Sequence, residues 1–225
     1  MIFQNGWFPV GIVMAAWPVL LVIFALCAKQ AWVSVSQHRS AFLVAAVMLP
    51  LAWSLNASPE SGQLAGMSYH LLALNLTALM LGTSAAFCLS VLLFFPYLWL
   101  WGDWHMFPIN ALSVLLPPLL VNLGFRYWVS RLPANIFIFI FLNGFWAAAV
   151  GMVFTGVVLV SLLDWADVFD TAVLWKTAFP VFFLIAWAEA FLSGISTAIF
   201  IALKPQWICT FDDDRYLKST PKIWQ

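Results

Sequence analysis

Charged residues divide this chain into long apolar stretches. The stretches with at most one charged residue are 1–28, 40–59, 61–102, 104–125, 132–163 and 177–203. A helix crosses the hydrocarbon core of a membrane with about 20 apolar residues. The pattern therefore predicts membrane-spanning helices rather than the alternating elements of a water-soluble core.

We predict an all-α, polytopic membrane bundle of about seven transmembrane helices. They are placed near residues 8–28, 41–57, 64–81, 84–101, 108–130, 135–163 and 176–203. The stretch 61–102 is long enough for two crossings, and Gly82-Thr83-Ser84 is the predicted turn between them. The predicted organisation is one bundle domain, 1–203, followed by a short cytoplasmic tail, 204–225.

Composition supports this class and excludes others. Hydrophobic residues make up 64% of the 225-residue chain and charged residues 8%, against about 45–50% and 25% in ordinary soluble domains. A nucleic-acid binder, a disordered chain and a secreted disulfide scaffold are excluded on the same grounds. Cys27, Cys88 and Cys209 are too far apart in sequence for a C-x-x-C metal or redox motif.

The basic residues predict the orientation. One side would carry Lys29, Arg39, Arg126, Arg131, Lys204, Arg215, Lys218 and Lys222, and the other only Lys176. Because lysine and arginine collect on the cytoplasmic side, we predict an N-terminus outside and a C-terminus in the cytoplasm. The predicted location is the plasma (inner) membrane of a bacterium, with the lipid bilayer as a partner and no nucleic acid.

His70 is a candidate metal ligand. It is predicted to lie about two turns into the third helix, near its outer end. Neutral imidazole is the commonest side-chain ligand for transition metals. The alternative is a histidine hydrogen-bonded to a neighbouring helix, and no H-x-x-H or H-E-x-x-H pair accompanies it.

Glu189 is predicted near the middle of the seventh helix. A carboxylate there must be protonated, be paired or face a polar cavity. With Asn110 it could form an intramembrane polar path. The structural alternative is a hydrogen bond to Asn75, Asn110 or Asn143, which also lie in predicted spans.

The remaining polar residues give weaker indications of a functional site. Asp212–Asp214 lack the spacing of an EF-hand, so a solvated tail is favoured over a cation site. The sequence has no hydrolytic constellation, so we expect no enzyme, and we expect no tightly bound cofactor. Without a G-x-x-x-x-G-K-[ST] motif, any ATP-driven activity needs a partner chain.

Several motifs resemble the CbiM/NikM-type permeases, the substrate-specific membrane components of energy-coupling factor transporters for cobalt and nickel. The matching positions are Met1, Gly6, Pro9, Gly66, Ser68, His70, Leu71, Leu79, Gly82, Asn110, Glu189 and Thr197. The chain resembles one compact proteobacterial branch of these permeases more closely still. It shares the segments Arg131-Leu132-Pro133, Pro205-Gln206-Trp207 and Phe211-Asp212-Asp213.

The resemblance implies a metal site at the outer end of the bundle. In the family, an N-terminal loop folds back, and the Met1 amine, a histidine at position two and the central histidine bind the ion. Only Met1 and His70 carry over, because position two is Ile2. A square-planar nickel site of the family kind cannot form unchanged. Asn5, Met67 and His105 are substitute candidates without family support, and His105 is expected to be solvated.

The leading functional interpretation is therefore a permease that takes up a transition metal ion, energised by separate coupling and ATPase subunits. The alternative is a non-transport accessory or scaffold protein of the membrane. A third interpretation is an ion-coupled secondary transporter with Glu189 as its proton carrier. The absence of detectable internal repeats counts against it.

Overall fold

The computed structural model describes residues 2–57, 69–101 and 103–216. The helices of these parts are α1 (Val10–Gln37), α2 (Arg39–Ser54), α3 (Leu74–Leu81), α4 (Thr83–Trp101), α5 (Trp104–Val129), α6 (Ile136–Trp165), α7 (Thr171–Leu203) and the short α8 (Asp213–Tyr216). Strands β1 (Asn56–Ala57) and β2 (Tyr69–His70) form an antiparallel pair.

The helices confirm the predicted class, a polytopic helical membrane protein. Within the described residues, five helices are long and apolar enough to cross a membrane: α1, α4, α5, α6 and α7. Helix α2 is apolar but shorter, with 16 residues. Helix α3 has only 8 residues, and all of them are buried at the centre of the bundle.

The first helix is longer than predicted. It was expected to end at residue 28, before Lys29, but α1 continues to Gln37. Residues 28–37 contain no glycine or proline, so the helix has no local reason to stop once it leaves the apolar layer. His38 alone connects α1 to α2, and its amide donates to the Ser34 carbonyl over 2.9 Å.

The third helix is much shorter than predicted, and His70 does not lie in it. Helix α3 begins at Leu74 rather than at residue 64, and residues 58–68 lie outside the described part. His70 pairs with Asn56 across the two strands. Ala73, the residue directly before α3, has a φ of 54°. Because this left-handed conformation is not compatible with a right-handed helix, α3 cannot begin before Leu74.

The other boundaries lie closer to the prediction, with one exception. Helix α7 begins at Thr171, not at residue 176, because the Asp170 side chain accepts a hydrogen bond from the Ala172 amide over 2.7 Å. Lys176 therefore lies inside the helix. The predicted turn after α3 is confirmed, since Gly82 has a φ of 80° between α3 and α4.

The beginning of the tail is docked on the bundle, whereas Asp212–Asp214, for which a solvated tail was favoured, are exposed. The amides of Cys209 and Thr210 donate to the carbonyls of Met80 and Leu79 over 3.2 and 3.3 Å. Phe211 is buried. The tail satisfies carbonyls that the end of α3 leaves without helical partners. Residues 217–225 lie outside the described part, and the predicted division at residue 203 stays a prediction.

The loops alternate between two ends of the bundle. We call the outer end the one that carries residues 2–9, the two strands and the loop 166–170. The inner end carries His38, Gly82, the loop 130–135 and the docked tail. These names follow the orientation predicted from the basic residues.

Candidate metal centre

His70 presents an unpaired imidazole nitrogen in a buried position near the outer end. The residue is 2% exposed. Its Nδ1 lies 3.0 Å from the Leu71 carbonyl oxygen. Its Nε2 has no hydrogen-bond partner among the described residues. With the ring proton on Nδ1 donated to that carbonyl, the lone pair of Nε2 is available to a metal ion.

Aromatic side chains hold the ring and the backbone beside it. Tyr97 on α4 contacts the His70 ring edge to face, with centroids 5.8 Å apart. The indole nitrogen of Trp53 on α2 donates to the Leu72 carbonyl over 3.1 Å. The Tyr97 hydroxyl donates to the Trp53 carbonyl over 3.3 Å. The orientation of the imidazole is thus fixed from two helices.

Glu189 fixes the same segment from α7. Its Oε1 accepts hydrogen bonds from the amides of Leu72 and Ala73, the second over 3.0 Å. Its Oε2 lies 3.3 Å from the Ala73 amide. The carboxylate is buried, and these partners are backbone amides rather than one of the three asparagines considered above. Because both amides have a hydrogen-bond partner, the segment just before α3 can be non-helical without leaving buried amides unpaired.

Asn110 clamps the N-terminal segment. The Phe3 amide donates to the Asn110 Oδ1 over 2.7 Å, and the Asn110 Nδ2 donates to the Phe3 carbonyl over 3.2 Å. These two hydrogen bonds join α5 to the N-terminal segment in the same way as the reciprocal pair of hydrogen bonds between two opposite residues of antiparallel strands. Both residues are buried. Met1 lies outside the described residues, and Ile2 packs partly buried against the core.

A turn folds the N-terminal segment back over the outer end. Gly6 has a φ of 87°, which suits glycine, and the Trp7 amide donates to the Gln4 carbonyl over 3.3 Å. The rings of Phe3 and Phe8 pack with centroids 4.9 Å apart. Trp7 contacts Phe169 of the loop before α7 edge to face at 5.2 Å.

The substitute ligands do not join His70 in the described structure. Asn5 is exposed, and Met67 lies outside the described residues. The His105 side chain is 60% exposed, its ring lies on Trp104 with centroids 3.9 Å apart, and its Nδ1 is 3.0 Å from an Asp103 carboxylate oxygen. Among the described residues, no three His, Cys, Asp or Glu side chains form a group that could hold a metal ion.

Sequence reasoning missed the groups that support His70. Trp53 and Tyr97 lie in uncharged stretches and Phe3 in the uncharged start of the chain, and the sequence analysis assigned none of them a role. No local signal distinguishes them, because their roles depend on contacts between residues far apart in the chain.

The fold and this site define a class: a multi-pass helical membrane protein that offers a buried nitrogen donor near one face of the bilayer. Comparison with protein families identifies it further. Residues 3–207 match the CbiM family, the cobalt uptake substrate-specific transmembrane region. The chain belongs to that family.

Two solved structures have the same fold. A transition metal transporter is 14% identical, covers 90% of this chain and 93% of its own, and superposes with a TM-score of 0.77. A truncated transition metal transporter is 15% identical, covers 91% of this chain and 99% of its own, with a TM-score of 0.75. Comparison with proteins of curated function finds no relative that matches this sequence.

Family membership settles the broad function. This chain is a membrane component of transition-metal uptake and a multi-pass protein of the bacterial plasma membrane. The comparisons give no support to the accessory or scaffold alternative. The metal-binding roles of Met1 and His70, and the polar-path roles of Glu189 and Asn110, stay predictions.

Proposed function

We propose that this chain captures a cobalt-like or nickel-like ion at the outer end through the Nε2 atom of His70. The observation that carries the proposal is a buried imidazole nitrogen without a partner among the described residues. A buried polar atom of this kind is rare and needs an explanation. A metal ion approaching from outside supplies one.

The second donor in this proposal is the Met1 amine, as the family resemblance implies. Two observations support it. The clamp between Asn110 and Phe3 fixes the chain two residues after Met1. The turn at Gly6 directs the segment back into the bundle rather than away from it. Phe107 on α5, three residues before Asn110, packs against Phe95 on α4, two residues before Tyr97, with centroids 5.2 Å apart.

Ile2 sets the expected strength of the site. A family member with histidine at position two has one nitrogen donor more. Loss of a donor weakens metal binding by at least about the 10–100-fold that even a supporting residue contributes. We therefore propose a weaker site with altered selectivity between nickel and cobalt.

Energy for uptake comes, in this proposal, from separate coupling and ATPase subunits. The sequence has no phosphate-binding loop of the kind that holds ATP. At the inner end, the docked tail and the basic residues Arg126 and Arg215 are the groups that these subunits would contact.

Calorimetry with cobalt and nickel ions tests the outer site. The purified wild type should bind, His70→Ala should not bind, and Ile2→His should bind about 10–100-fold more tightly. His105→Ala is the matched control, since it removes the exposed histidine of the outer loop and should leave binding unchanged. Unchanged binding by His70→Ala would contradict the proposal.

A further inference from the structure

A cavity of about 630 Å³ lies at the inner end, between α1, α4 and α5. Its wall contains two cationic side chains, Lys29 of α1 and Arg126 of α5. Among the described residues, no aspartate or glutamate lines it. A cleft lined by charge of one sign raises the local concentration of ligands of the opposite sign, so this cavity favours an anion.

Arg126 has few partners for a half-buried guanidinium group. Its Nη1 donates to the Thr83 hydroxyl over 3.4 Å, and no carboxylate oxygen of the described residues lies within 4.0 Å of it. A guanidinium group has five N–H donors in a planar fork that matches a phosphate group. Most of these donors are therefore available to a ligand in the cavity.

The first turn of α4 connects the two cations. Arg126 contacts Thr83, where α4 begins. The next residue, Ser84, donates its hydroxyl to the Gln30 Oε1 over 2.8 Å, and Gln30 directly follows Lys29. The N-terminus of a helix adds positive potential to the wall between the two side chains.

Exposed aromatic side chains place the cavity at the boundary between the hydrocarbon layer and water. Trp32 follows Lys29 by about one turn of α1 and is exposed. Tyr127 and Trp128 directly follow Arg126 on α5 and are also exposed. Tryptophan and tyrosine are enriched where lipid headgroups meet the hydrocarbon layer. The two cations therefore lie at the level of the headgroups.

The edge of the cavity is apolar. Val33 and Leu123 line it and are 47% and 46% exposed. Leu123 lies about one turn before Arg126, on the side of α5 that leads into the hydrocarbon layer. A ligand with both a phosphate group and acyl chains can contact the cations and this edge together. A free phosphate ion would use only the polar part.

We propose that this cavity binds the headgroup of an anionic phospholipid, with Arg126 as the main contact of the phosphate and Lys29 as the second cation. Basic pockets between membrane-spanning helices bind headgroups of this kind. A zwitterionic lipid carries an ammonium group that the two cations repel, so the site should prefer phosphatidylglycerol to phosphatidylethanolamine. This inference does not depend on the metal site.

Arg126 also borders a smaller cavity of about 370 Å³ on the side of α6 and the tail. Arg215 and Asp212 line that cavity, and the Asp212 carboxylate accepts hydrogen bonds from the amides of Asp214 and Arg215 over 3.0 and 3.3 Å. The proposed coupling subunits would contact Arg126 from this side, and the lipid from the α1 side. Of the two cavities, Lys29 lines the larger and not the smaller. Its variant therefore tests the lipid site alone.

Native mass spectrometry of the purified full chain in detergent tests the proposal. The protein is titrated separately with phosphatidylglycerol and phosphatidylethanolamine that carry the same acyl chains. The wild type should bind phosphatidylglycerol at least about fivefold more tightly, the factor that one basic residue contributes at an anionic membrane surface. Lys29→Gln and Arg126→Gln should each bind phosphatidylglycerol about fivefold more weakly than the wild type. Their affinity for phosphatidylethanolamine should change little.

Lys204→Gln and Arg131→Gln are the matched controls. They remove the same charges from exposed positions at the inner end that do not line the cavity. Both should keep the lipid affinities of the wild type. An equal loss of phosphatidylglycerol affinity in these controls would indicate general attraction to basic residues and would overturn the site. If Arg126→Gln does not fold, the exposed Lys29 still decides the question.

Three further results would overturn the proposal. The first is equal affinity of the wild type for the two lipids. The second is displacement of phosphatidylglycerol by millimolar inorganic phosphate, which would make the cavity a site for a free anion. The third is unchanged phosphatidylglycerol affinity in both Lys29→Gln and Arg126→Gln, which would leave the cavity to an acidic side chain of a coupling subunit. Cobalt binding by the same variants is a separate measurement, so failure of the lipid site and failure of the metal site are distinguishable.

Discussion

The Glu189 carboxylate accepts a hydrogen bond from the Ala73 amide over 3.0 Å, and so joins the middle of α7 to the residue before α3. Ala73 is one of two non-glycine residues with a positive φ in the described chain, and it follows His70 by three residues. The contact therefore places a buried carboxyl group where it fixes the backbone beside the candidate metal ligand.

Two substitutions of Glu189 should distinguish the effect of losing its hydrogen bonds from the effect of losing its ability to ionise. Glu189→Leu leaves the amides of Leu72 and Ala73 buried without partners, at a cost of about 1–3 kcal/mol each. We expect lower thermal stability in detergent and weaker cobalt binding. Glu189→Gln keeps an acceptor oxygen and should remain close to the wild type in both measurements.

Two results would contradict this positional role. Wild-type stability and cobalt binding of Glu189→Leu would show that the contact has no consequence. A folded Glu189→Gln protein that binds cobalt but fails to transport it would instead favour an ionisable, proton-carrying Glu189.

Loss of the Asn110 clamp should free the N-terminal segment. Asn110→Leu removes both hydrogen bonds to Phe3, each with a net contribution of about 0.5–1.5 kcal/mol. We expect faster hydrogen exchange in a peptide that contains Phe3, measured by mass spectrometry, and weaker cobalt binding. Asn135→Ala is the control, because Asn135 is exposed at the inner end and caps only the start of α6. Unchanged exchange and affinity in Asn110→Leu would separate the N-terminal segment from the metal site.

Close packing of α6 on α7 depends on Gly156. A β-carbon there would lie 2.4 Å from the Phe182 Cγ, so Gly156→Ala should destabilise the bundle by about 1–3 kcal/mol. Gly124→Ala on α5 is the matched control, since its β-carbon would meet no atom within 4 Å. Thermal unfolding of the two variants checks the prediction. Adding Phe182→Leu to Gly156→Ala should recover part of the loss; equal stability of the two glycine variants would refute the packing role.

The orientation can be tested by cysteine labelling. In a chain without its three native cysteines, a membrane-impermeant reagent applied from outside should modify Asp167→Cys. It should leave Ser130→Cys unmodified until the membrane is opened. Both positions are exposed at opposite ends of the bundle. The reverse labelling pattern would overturn the predicted orientation.

Sequence by itself determined the class of the protein and the approximate position of six of its seven main helices. Charges are so costly inside a bilayer that their spacing marks where apolar helices can lie. The same argument places Glu189 within α7 and marks it as unusual. It failed at Lys29 and Lys176, which lie inside α1 and α7, because a helix does not have to end where the apolar layer ends.

Only the tertiary structure decided how the site is built. The apolar pattern around His70 favours helix, but the segment Tyr69–Ala73 is not helical. Its backbone groups bond to Trp53, Glu189 and the β1 strand instead. The partners of Asn110 and Asn75 likewise lie on distant parts of the chain. Within a membrane, every polar group must find its partner inside the protein, and which partner it finds depends on how the helices are arranged in space.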